Sequence, residues 1–247
     1  MQLTVLGGCG AWPTAAQACS GYVFEQDGFR LLIDPGYATL PRLLDHRSVD
    51  EIDAVLVSHG HPDHCADLNP LLRARALSDD PPPALPVFAP HGALDAVLAL
   101  DRPGMLADAY RLHEFQPGDT FDVGPFSTST WLLPHFVPNA GIRLGTPEAV
   151  VAYTGDTGPS RDVPRLAAGV DLLLSEATYV HEVPTEDAPY LLTARLTGQY
   201  AEQAGVARLM LTHLWPGTDP SAAQEAAAEA FAGPISIASP GVVADLG

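Results

Sequence analysis

Ser58-His59-Gly60-His61-Pro62-Asp63-His64 follows directly on the apolar run Ala54-Val55-Leu56-Val57 and packs four potential metal ligands into six positions. In an extended segment side chains alternate, so His59 and His61 leave the backbone on the same side. Pro62 ends the extension, and Asp63 stands where the next helix would start, which turns Asp63 and His64 towards a second point. One ligand pair per point suggests two adjacent metal ions, which the rest of the chain must complete. The plainer reading, a row of solvated loop histidines, leaves this clustering unexplained.

The chain that carries this stretch has 247 residues, enough to bury a substantial core. Its 47 % hydrophobic and 17 % charged residues are a globular profile, and the 24 prolines and 22 glycines are spread along it as turn formers. The formal net charge is −18, and all 12 basic residues are Arg. A protein that grips a long polyanion needs a basic groove from which counterions can be released, and no basic cluster occurs here, which argues against a folded nucleic acid as partner. A small anion held by local metal charge fits the composition. Cys9, Cys19 and Cys65 are odd in number and form no CxxC pattern, so a disulfide framework is not expected. Met1 leads into the strand-like Gln2 to Leu6 without a basic leader, and no apolar run approaches the roughly 20 residues of a membrane span. The expectation is a soluble cytoplasmic protein.

Strand-like runs and helical patches alternate along the sequence. Tyr22 to Phe24 and Phe29 to Ile33 flank Gln26-Asp27-Gly28 as a hairpin, and the second run ends at Asp34-Pro35-Gly36. Helices are expected near Thr39 to Leu44, Leu68 to Leu77, Ala93 to Leu100, Asp162 to Ala168, Thr197 to Ala204 and Pro220 to Phe231. Tyr110 to Glu114, Thr120 to Val123 and Phe126 to Leu133 read as successive antiparallel strands, and Gly141 to Leu144 pairs with Ala149 to Thr154 across Gly145-Thr146-Pro147-Glu148. Buried strands are expected at Val170 to Leu174 and Arg208 to Leu211, with a last one at Ile235 to Ile237.

One pattern organises these elements. His59, His135, Asp156, Glu176 and His213 each lie just beyond the end of an expected strand, where sites in layered α/β folds gather. Each has a bland alternative on its own: a hydrogen-bonded strand end for His135, an Asx turn for Asp156, a satisfied core histidine for His213. Beside the Ser58 to His64 stretch they supply what two metal ions still lack.

The order and spacing of His59-Gly60-His61-Pro62-Asp63-His64, His135, Gly155-Asp156-Thr157-Gly158 and Thr212-His213 resemble the metallo-β-lactamase superfamily, over nearly the whole of residues 1–247 taken as one hydrolase domain. The resemblance implies an α/β fold of four layers, the αβ/βα sandwich, in which two mixed β-sheets lie face to face with helices outside and metals at one edge. It also implies that one metal takes His59, His61 and His135, that the other takes Asp63, His64 and His213, and that Asp156 bridges them. Asp34 and Ser175 would stand behind these ligands, Asp34 orienting one of them. Two Zn²⁺ are the implied cofactors, and the same donors suit Mn²⁺ or Fe.

Within the superfamily, Ser175-Glu176-Ala177-Thr178 is similar to the His-Glu-Ala-Thr element of the phosphodiesterase branch that includes ribonuclease Z. The His of that element is Ser175 here, and only 20 residues lie between His135 and Asp156, too few for an arm that holds tRNA. Glu202-Gln203-Ala204-Gly205-Val206 followed by Leu211-Thr212-His213 is nearer to small armless members, the atypical class II cyclic-nucleotide phosphodiesterases. The expected function is hydrolysis of small phosphodiesters such as cyclic nucleotides by a metal-bridging hydroxide, with Asp63 orienting it and Glu176 or His181 as candidate proton donors. Phe136, Tyr179 and Trp215 lie near strand ends as candidates to stack a base, a role that core packing explains equally well. A tRNA 3′ endonuclease, another ester or lactone hydrolase and a non-catalytic metal-binding accessory protein are the alternatives. A homodimer is expected from family habit alone.

Overall fold

In a computed structural model that describes residues 1–247, the strands form two seven-stranded sheets. The first sheet contains β1 (Gln2–Gly7), β2 (Gly21–Gln26), β3 (Phe29–Ile33), β4 (Ala54–Leu56), β5 (Leu85–Pro90) and β6 (Tyr110–Phe115), with β14 (Val243–Asp245) beside β1 at its edge. The second runs β13 (Ile235–Ile237), β12 (Leu209–Thr212), β11 (Leu172–Glu176), β10 (Val150–Tyr153), β9 (Asn139–Gly145), β8 (Phe126–Leu133) and β7 (Thr120–Val123). Both sheets are mixed. In the first, β3 to β6 are parallel to one another, and in the second β10 to β13 are.

The two-residue period of the strands explains why these sheets stack. Leu31 and Ile33 of β3, Ala54 and Leu56 of β4, and Leu172 and Leu174 of β11 belong to one cluster that fills the space between the sheets. The alternate residues Leu32 and Val55 face the opposite way, into a cluster with Leu43 of α1 (Thr39–Leu44) and Leu68, Leu71 and Leu72 of α3 (Leu68–Ala76). Leu173 faces a third cluster, with Val163 and Leu166 of α5 (Asp162–Leu166), Ala201 of α6 (Ala194–Ala204) and Ala223 of α7 (Pro220–Ala228). Strands buried on both faces read as continuous apolar runs, and helices must cover both outer faces. The result is the four-layer αβ/βα sandwich.

The structure corrects the expectation that Tyr110 to Leu133 forms three successive antiparallel strands. β6 pairs only with β5, in parallel, whereas β7 pairs with β8 in the other sheet. The short turn over 116–119, closed by Asp119 accepting the Gln116 N–H at 2.9 Å, carries the chain from one sheet to the other. The helix expected at Ala93 to Leu100 shortens to α4 (Asp95–Leu98), and the terminal strand β14 is an addition. No helix is long and apolar enough to cross a membrane.

Candidate metal centre

Asp34 follows β3, Ser58 and His59 follow β4, His135 follows β8, Asp156 follows β10 and His213 follows β12. Pairing within each sheet brings these ends to one rim, and a hydrogen bond from Ala140 N to Ser58 O (3.0 Å) ties the two sheets together there. Pro62 is the first residue of α2 (Pro62–Cys65), the short turn that carries Asp63 and His64, so the sharp bend read from the sequence is present.

The rim gathers two groups of ligand-type atoms, each within 4.8 Å of one another: His59, His61, His135 and Asp156 in one, Asp63, His64, Asp156 and His213 in the other. Asp156 belongs to both. Its Oδ2 lies 3.8 Å from His59 Nε2, 3.7 Å from His135 Nε2 and 3.1 Å from His213 Nε2, while its Oδ1 lies 3.2 Å from His64 Nε2. His61 Nδ1 sits 3.2 Å from His59 Nε2 and 3.0 Å from His135 Nε2.

Hydrogen bonds behind the cluster decide which nitrogen of each ring faces forward. Asp34, fully buried, accepts from Ser58 N (2.7 Å), Ser58 Oγ (2.6 Å), Tyr153 OH (2.7 Å) and His64 Nδ1 (2.8 Å). Because the Ser58 hydroxyl hydrogen is committed to Asp34, Ser58 Oγ can only accept from His59 Nδ1, at 3.0 Å. His135 Nδ1 donates to the Tyr190 carbonyl at 3.0 Å. Thr178 Oγ1 donates to Glu176 Oε2 and therefore accepts from His213 Nδ1, at 2.9 Å. Four rings are thus held through Nδ1 and aim Nε2 at the centre, the arrangement by which outer hydrogen bonds fix a ligating imidazole.

Two backbone strains sit in the same place. Asp34 (φ 50) and His213 (φ 54) are left-handed, a conformation that costs residues with a Cβ and collects at functional sites. Gly10 permits the close packing around His213, since a Cβ there would lie 2.9 Å from the His213 ring.

The donor set passes a direct test for divalent cations. His64 Nε2 and Asp156 Oδ1 are buried and have no hydrogen-bond partner although they lie 3.2 Å apart. Two buried lone-pair atoms facing one another in this way are costly unless a proton or a metal cation lies between them. The nitrogen spacings of 3.0–3.2 Å in the other group match the edge, about 3.3 Å, of a tetrahedron of nitrogens about 2.0–2.1 Å from its centre.

Protonation tells the same story. Burial lowers His59, His61 and His135, keeping them neutral as ligands must be. Burial also pushes His64 and His213 down, but Asp156 and Asp63 beside them more than reverse this and raise both. Asp63 and Asp156 are lowered in return: burial opposes this, and the flanking imidazoles outweigh it. Protons on His64 and His213 therefore compensate the carboxylates in the metal-free protein, and cations would displace them.

The other expected site residues are placed as follows. Glu176 is fully buried behind the centre, where burial and then Asp156 push its carboxyl up to about 7. Its oxygens accept from Thr157 N (2.6 Å), Thr178 N (3.4 Å), Thr178 Oγ1 (2.5 Å) and Leu192 N (3.2 Å). Ser175 is buried, with its hydroxyl turned to the Glu176 carbonyl. His181 is exposed and makes no hydrogen bond to the cluster. Tyr153, Thr178, the Tyr190 carbonyl and the Ala11 N–H, which donates to Asp63 Oδ2 at 2.8 Å, are participants that sequence reasoning missed. Only Thr178, inside the Ser175 to Thr178 element, carried a signal.

A two-sheet sandwich with such a rim defines a metal-dependent hydrolase, and comparison with known proteins agrees. Residues 29–214 match the model of the Beta-lactamase superfamily domain, and the chain belongs to the metallo-β-lactamase superfamily, in its ribonuclease Z-like branch. It is 29 % identical over 221 residues to the probable metallo-hydrolase YhfI of Bacillus subtilis, covering 87 % of each chain. The crystal structure of YhfI superimposes with a TM-score of 0.89 at 28 % identity, over 98 % of both chains. A ribonuclease Z of Methanopyrus kandleri is 30 % identical over 262 residues, covering 92 % of this chain and 91 % of that one. A diphosphatase of the PhnP family shares the fold, with a TM-score of 0.76 at 18 % identity over 100 % of this chain and 98 % of that one.

Proposed function

We propose that this protein is a dinuclear phosphodiesterase for small phosphodiesters such as cyclic nucleotides, with His59, His61 and His135 holding one cation, Asp63, His64 and His213 the other, and Asp156 bridging. The observation that carries the reading is the pair of His/Asp groups that share Asp156. Two Zn²⁺ suit these donors, and Mn²⁺ or Fe would be held by the same side chains. When bound, the cations supply Lewis-acid charge for the phosphoryl oxygens and a water acidic enough to attack phosphorus at neutral pH.

The chain's own residues do the rest. Asp63, anchored by the Ala11 N–H, orients the attacking water, whose proton passes to solvent at the rim. Asp34, Ser58, Thr178 and the Tyr190 carbonyl keep the imidazoles aimed forward, so that little reorganisation accompanies the reaction. Glu176, closed in by its donors, positions Thr178 and so His213. His181 lies outside the cluster, so water at the open rim protonates the leaving oxygen.

Ribonuclease Z-like cleavage of tRNA is the second reading, favoured by the likeness to the Methanopyrus kandleri enzyme. Against it, the residues between His135 and Asp156 are taken up by β9, β10 and their tight connection, which leaves nothing to form an RNA-holding arm, and the net charge is −18. Residues 1–247 act as one hydrolase domain in this reading. Three buried cysteines without a disulfide support a reducing, cytoplasmic setting.

The test is turnover of bis(p-nitrophenyl) phosphate, 3′,5′-cyclic AMP and a pre-tRNA by zinc- or manganese-loaded protein. The expected result is hydrolysis of the two small diesters and not of the pre-tRNA. Absence of any phosphodiester turnover sinks the reading, and full metal content and activity in His59→Ala sinks the site assignment.

A further inference from the structure

Two large aromatic side chains stand open to water at opposite ends of the metal centre. Trp12 is 49 % exposed and Phe136 is 50 % exposed. Phe136 lies with its ring 5.1 Å from His135 and 6.5 Å from His61, and Tyr190 backs it at 4.4 Å. At the other end, Trp12 follows Ala11, whose N–H holds Asp63. Its ring meets Trp215 edge to face at 5.1 Å and 82°, and Trp215, two residues beyond His213, stacks on Tyr179 at 5.7 Å and 17°.

The position of Trp12 is built rather than incidental. Ala11 is left-handed (φ 59), Trp12 N–H closes a tight turn onto Gly10 O at 2.7 Å, and Cys9 Sγ–H donates to Trp12 O at 3.4 Å. One turn therefore fixes both Asp63 and the indole. An indole left half in water contributes little to the core, and large apolar groups grouped at a site rim mark a binding surface. None of the arginines makes a hydrogen bond or ion pair with the cluster, so no guanidinium is anchored there to hold the part of a diester beyond its phosphate.

Resting on the phosphodiesterase reading, we propose that Trp12 and Phe136 are its specificity-determining residues. They select diesters that carry a flat ring, a nucleobase or aryl group, with that ring stacked on Trp12 at the Asp63–His213 end. Phe136 and Tyr190 wall the opposite end and take the ring of a second ester arm where there is one. Stacking tolerates any base, so the selection is for a ring and not for a particular base.

The experiment compares kcat/KM for 3′,5′-cyclic AMP with that for its base-free analogue, 3′,5′-cyclic ribose phosphate, in the metal-loaded wild type and in Trp12→Leu, Trp12→Phe and Phe136→Leu. The wild type is expected to prefer the base-bearing diester by about tenfold or more, the size of one stacking contact. Trp12→Leu erases that preference through KM, and Trp12→Phe restores most of it. An unchanged preference in Trp12→Leu, or an equal loss on both diesters, overturns the proposal. In parallel, adenosine monophosphate is titrated against tryptophan fluorescence. Saturable quenching that Trp12→Leu abolishes supports the stacking site even where neither diester is turned over, a result that would defeat the phosphodiesterase reading alone. No quenching in the wild type overturns the stacking site.

Discussion

Replacing Asp34 with Ala tests whether the hydrogen bonds behind the metal centre aim its ligands. Asp34 is fully buried and accepts four donors, from Ser58 N, Ser58 Oγ, Tyr153 OH and His64 Nδ1, at 2.6–2.8 Å. Each donor stranded in the interior costs about 1–3 kcal/mol, and removing one member of a buried charged pair costs about 3–5 kcal/mol. Ser58 and Tyr153 can turn to other acceptors in part, so a loss of about 3–5 kcal/mol is expected for the metal-free protein. The effect on cations is separate. His64 loses the acceptor that holds its proton on Nδ1, and Ser58 becomes free to turn its hydroxyl hydrogen towards His59 Nδ1. One ligand in each group is then misdirected, and metal affinity should fall about 10–100-fold. Asp34→Asn keeps a residue that tolerates φ 50 but offers one oxygen and one NH₂, so at least one donor meets another donor, at about 1–3 kcal/mol. Urea unfolding in chelator gives the stability term, and competition with a chromophoric chelator gives the affinity. If Asp34→Ala unfolds within about 1 kcal/mol of wild type and binds metal as tightly, the reasoning fails.

Thr178→Val removes the hydroxyl between Glu176 and His213, and metal affinity should drop about tenfold with a smaller change in thermal stability; chelator competition and a melting curve read the two. In Gly36→Ala the new Cβ would lie 1.8 Å from the Asp63 carbonyl oxygen, so a loss of about 1–3 kcal/mol by denaturant titration is expected, together with weaker metal binding at the Asp63 end. The metal-free protein should be most stable near pH 6.5: lowered His59, His61 and His135 forfeit stability as pH falls below their unfolded value of about 6.5, while raised His64 and His213 forfeit it as pH climbs above, with Glu176 adding to the decline up to about pH 7. Urea midpoints at pH 5, 6.5 and 8 in chelator check this, and a steady rise across the three contradicts it.

What the sequence made legible, and what it hid, follows from the kind of atom each interaction uses. Ser58 to His64 was readable because side chains of rare ligand types crowd into one turn, and His135, Asp156 and His213 because each ends a strand. The sandwich was readable only through the resemblance that these ligand motifs carry; the apolar runs by themselves marked β4 and β11 as buried strands, which the structure packs on both faces. The crossing from β6 to β7 was not, because a strand, a four-residue turn and another strand look the same whether the second strand pairs with the first or leaves for another sheet.

The orienting contacts were hidden for a different reason. Tyr190 acts through its carbonyl and Ala11 through its N–H, groups that nearly every residue owns, so their identity carries no signal. Tyr153 reaches Asp34 from 119 positions away and, within β10, reads only as a strand former. Trp12 lies in a Gly- and Ala-rich loop that has no periodicity to expose it. Ligand atoms are specified by side-chain type and survive as a motif, whereas the aim of those ligands is specified by backbone path and tertiary register. A chain that kept all seven His and Asp residues but shifted the Gly10 to Trp12 turn or the Tyr190 carbonyl would keep the motif and lose the support of Asp63 or His135. Substitutions such as Asp34→Ala and Thr178→Val, which leave the motif untouched, are therefore the ones that separate possession of the ligands from possession of the centre.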